Sequence, residues 1–329
     1  MPDDGSVKHE YLGGDLSGIG SMWRFVRQCA GADVVILNID QKRLMLAGLL
    51  RFLLPTLRFK LISVDLIMRP PASLAGRLKA FLKRVLFSRV DCFILYFKNI
   101  EGYQRFYGID SDRVVYVPFK VNGWELVANW NPDPAGGEYV LCAGRTLRDV
   151  RTFVTAMSHV EYPGVLLQQR RELLEAHGSK EWSGELPPNV RLVVDEGDSL
   201  ESYFNFISKA RIMVIPRYSH DIAPTGISTY LVSMALHKCV IISQGPGAED
   251  VLTDQAVIVP PEDAGSLGEQ IRLLWEDHQR RNEIAARGRE YAASLGGENR
   301  LLSDILKVSL LTLNGTAPAA EKYDSGLAS

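Results

Sequence analysis

The stretch RIMVIPRYSHDIAPTGISTYLVSMALHKCVIIS, residues 211–243, decides the fold of this chain. It starts with an apolar run typical of a buried strand, passes through a polar loop into a segment of helical period, and ends in a second apolar run. Two buried strands joined by a helix predict a βαβ unit with parallel strands. At the helix start we expect the Thr225 hydroxyl to cap the helix and Gly226 to let the backbone approach a ligand closely. Such a start is either a seat for an anion such as phosphate or a well-capped crossover without a ligand.

The same alternation of apolar runs and helical segments extends through most of the chain. It predicts parallel sheets covered by helices on both faces, in an α/β fold with two Rossmann-like, doubly wound domains. We expect ligands in a central cleft between the carboxyl ends of the strands of the two domains. The predicted strands are 33–38, 59–65, 91–97 and 113–118 in a first series, and 138–144, 164–168, 190–194, 211–216, 239–243 and 256–260 in a second.

A stretch rich in proline and glycine separates the two series. Residues 122–137 hold two Pro and three Gly without clear periodicity, which is typical of an interdomain linker. The predicted organisation is a first domain, this linker, a second domain, a C-terminal helix that packs back on the first domain, and a disordered polar tail. The corresponding ranges are 1–121, 122–137, 138–296, 297–312 and 313–329.

Composition excludes several classes of protein. The chain of 329 residues is 46% hydrophobic and 23% charged, and its net charge of −2 argues against a general nucleic-acid binder. The four cysteines are far apart and show no C-x-x-C spacing, so we expect buried free thiols. The most apolar stretch, 44–57, contains Arg51 and Pro55 and is too short to span a bilayer. No G-x-G-x-x-G follows a predicted strand, which argues against a dehydrogenase.

Three motifs resemble those of a known enzyme family. The segment TGISTYLVSMALHKCVIISQGPG, residues 225–247, resembles the donor-binding segment of GT-B glycosyltransferases, especially the family 4 type (glycosyl transferases group 1). GRTLRDVRTFVTAM is similar to the family's Gly-Arg…Lys-Gly stretch, with Arg145 in the place of the Arg and Arg148 near that of the Lys. VVYVPFKVNGWE, residues 114–125, is similar to the strand end at the family's hinge.

The resemblance implies a GT-B architecture and a glycosyltransferase of the hexosyltransferase type. Such an enzyme moves a sugar from a nucleoside-diphosphate-sugar donor to a glycan or a lipid-linked acceptor, as in polysaccharide biosynthesis. It also implies a retaining, metal-independent reaction without a cofactor, in which the first domain takes the acceptor and the second takes the donor.

The candidate site residues follow from this chemistry, because a departing diphosphate needs positive charge beside it. Arg145 and Arg148 follow a predicted strand end and are the expected catalytic cations, although Arg148 is equally compatible with a solvated helix start. We expect Asp65 either to position or deprotonate an acceptor hydroxyl or to cap the segment after it. In keeping with the metal-independent reaction that the resemblance implies, no metal site is predicted. The donor-binding candidates are Thr225, Gly226, Ile227, Ser228, Thr229, Ser233, His220 and Arg217, and the acceptor-side candidates, in a Gly-rich loop, are Gly13, Gly14, Ser17 and Gly18.

The chain departs from the family pattern at both halves of the expected site. The family's second Glu falls on Val232 and its first falls near Pro224-Thr225, so neither carboxylate is present, and Ser233 offers a weaker substitute. Val64 stands where many members have the His of a His-Asp pair. A catalytically silent GT-B subunit that binds a nucleotide or a partner transferase therefore stays open as an alternative, and so does a nucleotide-sugar 2-epimerase.

The first domain also carries a concentration of basic residues. The segment 74–87 places apolar residues on one helical face beside Arg77, Lys79, Lys83 and Arg84. This pattern fits either a helix that faces the core or a basic amphipathic surface that lies against anionic lipid. We expect a cytoplasmic protein, with peripheral contact to the inner face of the cell membrane as the second option.

Overall fold

The computed structural model describes residues 18–130, 138–144, 146–176, 181–196 and 199–315. Within them the chain forms two compact units. The first contains residues 18–96, 100–117 and 302–315, and the second contains residues 97–99 and 118–301. Several predictions made from the sequence fall outside the described residues, namely those on Gly13, Gly14, Ser17, Arg145, linker residues 131–137 and most of the tail.

The first unit is built on a four-stranded parallel sheet whose strands lie side by side in chain order. In the register, Ile36 lies opposite Ile62, and Ile62 lies opposite Cys92. The central strands consist of buried residues because helices cover both faces of such a sheet. The elements are α1 (Ile19–Ala30), β1 (Val34–Asn38), α2 (Gln41–Leu53), β2 (Lys60–Val64), α3 (Leu74–Phe87), β3 (Cys92–Leu95), α4 (Glu101–Tyr107), a 3₁₀ turn (Ser111–Arg113) and β4 (Val114–Tyr116).

The second unit is built on a six-stranded parallel sheet of order β10-β9-β8-β5-β6-β7. The strand order reverses between β5 and β8, and doubly wound sheets bind their ligands outside the carboxyl ends at this point. Its elements are α5 (Trp124–Ala128), β5 (Tyr139–Ala143), α6 (Val150–Met157), β6 (Gly164–Gln169), α7 (Arg171–Ala176), β7 (Val190–Asp195), α8 (Leu200–Ser208), β8 (Ala210–Ile215), α9 (Ile227–Ala235), β9 (Cys239–Ser243), β10 (Val257–Val259), α10 (Ala264–Glu276) and α11 (His278–Leu295).

The core of the second unit lies between the sheet and helices α6, α10 and α11. Phe153 and Met157 of α6 pack with Ile271 of α10 against buried strand residues such as Val140. All four side chains are fully buried, and each stabilises the fold by about 1.5–3 kcal/mol relative to exposure. This packing fixes the strand ends that carry the site.

Local signals set the helix starts. Six helices begin after an Asp or Ser whose side chain accepts a backbone N–H of the first turn, which satisfies one of the unpaired donors there. These caps are Asp40, Ser73, Asp149, Ser199, Asp263 and Asp277. Helix α9 lacks such a cap.

The structure differs from the sequence-based organisation near the linker and the C-terminus. Residues 124–128 of the expected linker form the short helix α5, in which Val127 is buried. The last helix, α12 (Glu298–Leu313), extends one residue into the predicted tail. From Leu302 onward it clusters with the first unit, and Val308 and Thr312 of this part are buried.

Two expectations about the apolar segments and the cysteines can be compared directly with the fold. The stretch 44–57 contributes to helix α2, and no helix among the described residues is long and apolar enough to cross a membrane. The four cysteines are free and buried, as predicted.

Candidate functional site

The site lies in the second unit, at the carboxyl ends of β5 and β8, where the strand order reverses. Two glycines with positive φ lie here, Gly144 after β5 (φ +129°) and Gly226 before α9 (φ +93°). The guanidinium of Arg148 lies beside both of them. A Cβ on Gly144 would lie 2.5 Å from its Nε, and a Cβ on Gly226 would lie 3.4 Å from its Nη2. Only glycine combines this backbone conformation with so close an approach.

The first turn of α9 presents unpaired backbone donors. Gly226 is the N-cap residue, and the first helical hydrogen bond runs from the N–H of Tyr230 to its carbonyl at 2.8 Å. The N–H groups of Ile227, Ser228 and Thr229 therefore have no acceptor within the helix. Together with the helix dipole they form the positive end that favours an anion.

Thr225 does not cap this helix, which corrects the sequence-based prediction. The cap position falls one residue later, on Gly226, because the left-handed backbone there turns the chain into the helix. The Thr225 side chain is 2% exposed, and its Oγ1 has no hydrogen-bond partner. A buried hydroxyl without a partner costs about 1–3 kcal/mol, so this atom is a candidate contact for a bound molecule.

Arg148 links the end of β5 to the first turn of α9. Its Nε donates to the Ala143 carbonyl at 3.0 Å, Nη1 donates to the Thr146 carbonyl at 3.1 Å, and Nη2 donates to Thr229 Oγ1 at 3.2 Å. Burial lowers the pKa of Arg148 from its ordinary value. Because Arg148 is 9% exposed, the alternative of a solvated residue is excluded, and its catalytic role stays a prediction. Arg148 positions α9 and supplies buried positive charge to the site, and it keeps N–H groups beyond these three bonds.

Arg217, a predicted donor contact, makes its hydrogen bonds within the loops around the start of α9. It is 1% exposed, and Gly245 lies against its guanidinium, since a Cβ there would lie 2.4 Å from its Cζ. The group donates to the carbonyls of Pro246, Asp221 and Ala223 at 2.9–3.2 Å, which fixes the loop before α9. Burial lowers the pKa of Arg217, and Asp221 opposes this effect.

The remaining donor-side candidates divide between the surface and the helix interior. Ser233 is fully buried and its hydroxyl donates to the Thr229 carbonyl at 2.7 Å, so the suggestion that it replaces the missing Glu is wrong. Ile227 is buried and Ser228 is half-buried at the helix start. His220 is exposed, and its ring lies 5.4 Å from that of Tyr218.

A pocket of about 410 Å³ opens beside Arg148. One wall is apolar and comes from the ends of β6 and from α7. Gln168 is 4% exposed, and its Oε1 accepts the N–H of Trp182 at 3.0 Å, while the indole Nε1 has no partner. The main residues that line the pocket are Gly144, Arg148, Arg151, Leu166, Leu167, Leu174, Trp182 and Tyr218. Sequence reasoning missed Trp182 and Gln168, because Trp182 lies in a non-periodic loop and Gln168 ends an apolar strand.

Asp65 belongs to the first unit. It follows β2 in the left-handed region at φ +51°, and its N–H donates to the Ile94 carbonyl at 3.0 Å. Burial raises the pKa of Asp65 to about 6, and its charge contributes to the raised pKa of the neighbouring Tyr96. A carboxyl that titrates near neutral pH can accept a proton from a hydroxyl, and such shifts are concentrated at functional sites.

The other acceptor-side candidate within the described residues is Gly18. It is the exposed N-cap residue of α1, and its N–H donates to Ser21 Oγ at 3.2 Å. A Cβ there would meet nothing within 4 Å, so a close approach does not explain the glycine. Among the residues that the structure describes, no group of three or more His, Cys, Asp or Glu could hold a metal ion.

Comparison with known structures shows the fold class of the whole chain. A glycosyltransferase from Rickettsia africae ESF-5 is similar with a TM-score of 0.64 at 15% identity, over 92% of this chain and 84% of that chain. Anabaena HepE, in a complex with UDP, is similar with a TM-score of 0.66 at 13% identity, over 88% and 81%. Sucrose-phosphate synthase from Thermosynechococcus elongatus is similar with a TM-score of 0.63 at 17% identity, over 90% and 79%.

One family model matches part of the second unit. Residues 182–291 match the family model for glycosyl transferases group 1, and this range includes α9 and the loop before it. No curated protein sequence matches the chain. The chain thus has the GT-B fold, and residues 182–291 are similar to the glycosyl transferases group 1 family.

Proposed function

We propose that this protein transfers a sugar from a nucleoside-diphosphate-sugar donor to a glycan or a lipid-linked acceptor, with retention and without a metal. The start of α9 binds the donor diphosphate, and the pocket beside Arg148 takes the nucleoside. The reaction takes place in the cytoplasm, at or near the inner face of a membrane.

One observation carries the proposal: the unpartnered Thr225 hydroxyl lies directly before the uncapped first turn of α9. Three backbone N–H groups follow within one turn, and the buried charge of Arg148 lies beneath Gly226. A diphosphate offers acceptors for all of these donors and needs their positive potential. A capped crossover helix without a ligand would not explain a buried hydroxyl that has no hydrogen-bond partner.

The chemistry follows from the same groups. When the glycosidic bond to the diphosphate breaks, negative charge grows on the leaving oxygens, and fixed N–H dipoles stabilise it without reorganisation. Removal of one such donor from an oxyanion site typically lowers kcat by about 10²–10³-fold. Asp65 is the proposed group of the first unit that orients or deprotonates the acceptor hydroxyl, since its raised pKa suits a base.

The lining of the pocket fits a nucleoside, which is planar and partly apolar. Leu166, Leu174 and the Trp182 ring form apolar walls, and the free Trp182 Nε1–H can donate to a base or sugar oxygen. Because the similar Anabaena protein is in complex with UDP, a uridine nucleotide is the first donor to test.

A silent nucleotide-binding subunit remains the second candidate on one specific observation. Val232 is 2% exposed inside α9, and Ser233 is committed to the helix backbone. The family position that holds the donor ribose with a carboxylate is therefore apolar here, which favours nucleotide binding without efficient transfer.

Sugar-nucleotide turnover separates these candidates. Release of nucleoside diphosphate is measured for UDP-, GDP-, ADP- and dTDP-sugars with a mixed acceptor panel, in the wild-type protein, Thr225→Val and Asp65→Asn. Thr155→Val, at an exposed position of α6, serves as the control. The proposal expects turnover of one donor, a loss of about 10²-fold or more in Thr225→Val, and unchanged rates in the control. Nucleotide binding without turnover of any donor would contradict transfer and support the silent subunit.

A further inference from the structure

Helix α3 presents an apolar stripe to solvent. Leu74, Leu78, Phe81 and Leu82 are 82%, 71%, 65% and 50% exposed. Their spacing of four, seven and eight residues places them along one side of the helix. Most large apolar side chains of a soluble protein are buried when they recur at this spacing, so this face is unusual.

The opposite side of the same helix faces the core. Ala80 is 5% exposed and Phe87 is fully buried, and both lie on the far side of the helix from the stripe. The sequence left open whether the apolar face turns inward. The structure shows that the part from Leu74 to Leu82 turns outward, whereas Leu86 is 5% exposed, and Phe87 fills the core on the other side.

Cations flank the stripe on both sides. Arg77 and Lys79 are exposed on its two borders, whereas Lys83 donates to Gln41 Oε1 at 2.8 Å and Arg84 packs against Gly108. From residue 41 to residue 90 the chain has eleven Lys and Arg residues and one acidic residue, in a protein whose net charge is −2. Some of these cations pair with Asp40 and Asp91 just outside the range, whereas Arg77 and Lys79 border the stripe.

Neighbouring helix α2 also exposes apolar side chains. It packs against α3 at Gly48, where a Cβ would lie 2.7 Å from the Leu86 carbonyl oxygen. Leu49, Phe52 and Leu53 of α2 are 38%, 46% and 63% exposed. Arg89, just beyond α3, lies over the Phe52 ring at 5.3 Å from its centroid.

We propose that the α3 stripe and its flanking cations dock this protein on an anionic lipid bilayer, with α3 lying in the plane of the interface. A helix with apolar residues on one side and Lys and Arg beside them binds by apolar insertion and by attraction to anionic headgroups. A second copy of the chain fits less well, because a symmetric contact through this face brings Arg77 and Lys79 close to their own equivalents. The proposal rests on the membrane part of the proposed function and on none of its donor chemistry.

Vesicle flotation without any donor tests the proposal. The full chain is mixed with vesicles of phosphatidylcholine alone, or of phosphatidylcholine with about one third phosphatidylglycerol. We expect binding to the anionic vesicles, little binding to the neutral ones, and a decrease as NaCl rises from about 0.05 to about 0.5 M.

Two surface variants test the two halves of the mechanism. Leu78→Gln with Phe81→Gln removes the stripe, and Arg77→Gln with Lys79→Gln removes the flanking charge. Each pair is expected to weaken binding to anionic vesicles by about tenfold. The control pair Leu200→Gln and Leu302→Gln changes exposed leucines of α8 and α12 and should bind as the wild type does. Thermal unfolding of each variant verifies that it is folded.

Three results would overturn the proposal. One is failure of the folded wild-type protein to bind anionic vesicles, and another is full binding by the Leu78→Gln, Phe81→Gln variant. The third is a dimer in sedimentation that this variant abolishes in the absence of lipid binding, which would make the face an interface between copies. A protein that binds vesicles but no nucleotide would contradict the donor site alone.

Discussion

The substitution Gly226→Ala tests the geometry of the α9 start. At φ +93° an L-residue is strained by about 1–2 kcal/mol. The new Cβ would also lie 2.6 Å from Ile215 Cγ2, so β8 or α9 must shift, which costs a further ~1–3 kcal/mol. We therefore expect the free energy of unfolding to fall by about 2–5 kcal/mol.

Thermal and urea unfolding followed by tryptophan fluorescence measure this loss. Four of the five tryptophans lie in the second unit, at positions 124, 130, 182 and 275, so the signal reports mainly on the affected part of the chain. At roughly 2–4 °C per kcal/mol for a domain of this size, the unfolding midpoint should fall by about 4–20 °C.

Gly265→Ala is the matched control in the same unit. Gly265 lies in the first turn of α10, is exposed, and a Cβ there would meet only Asp263 Oδ1 at 3.4 Å. This variant should change stability by less than about 1 kcal/mol. If Gly226→Ala unfolds at the same midpoint as Gly265→Ala, the left-handed turn and the close contact with Ile215 are both refuted.

Three further substitutions give distinct outcomes. Thr225→Val removes a buried hydroxyl that has no partner, so the free energy of unfolding should stay constant or rise by about 1 kcal/mol in urea titration, and a loss above that size would reveal a missed hydrogen bond. Asp65→Asn keeps a residue type that tolerates φ +51° and removes a carboxylate whose pKa is raised from 3.8 to about 6. A raised pKa means that ionising Asp65 destabilises the folded state, so the wild-type protein loses stability as the pH rises through about 6. The variant should therefore be more stable than wild type at pH 7.5, by on the order of 2–3 kcal/mol, with no difference below about pH 4. Gly48→Ala should lower the free energy of unfolding by about 1–3 kcal/mol, since its Cβ would lie 2.7 Å from a backbone oxygen, and a gain in helix stability instead would contradict the α2–α3 contact.

Much of the fold could be predicted from the sequence, because parallel strands buried on both faces are short continuous apolar runs. All ten predicted runs are strands, and α3 has the predicted bounds of 74–87. Periodicity did not give the orientation of α3, since an apolar stripe has the same spacing whether it faces the sheet or solvent. That choice depends on Ala80 and Phe87, which contact the core from the other side.

The candidate site was predicted in place but not in detail. The strand ends, the glycines and Thr225 follow from local chemistry, and they do meet at the switch between β5 and β8. The parts taken by Arg148, Arg217 and Ser233 depend on carbonyls up to 29 residues away in sequence or on the helix backbone, which no local pattern encodes. Basic residues at strand ends can therefore hold the loops of a site in position through hydrogen bonds to backbone carbonyls.

Thermal unfolding with nucleotides tests the central claim, that the α9 start binds a nucleoside diphosphate, most directly. UDP, GDP, ADP, dTDP and CMP are each added to the wild-type protein, to Thr225→Val and to the control Thr155→Val. A diphosphate at about a hundred times its dissociation constant should add about 2.7 kcal/mol of stability. We predict that one diphosphate raises the midpoint of the wild type and the control by several degrees and that Thr225→Val loses most of this shift. No shift with any nucleotide, or the full shift in Thr225→Val, would contradict the claim.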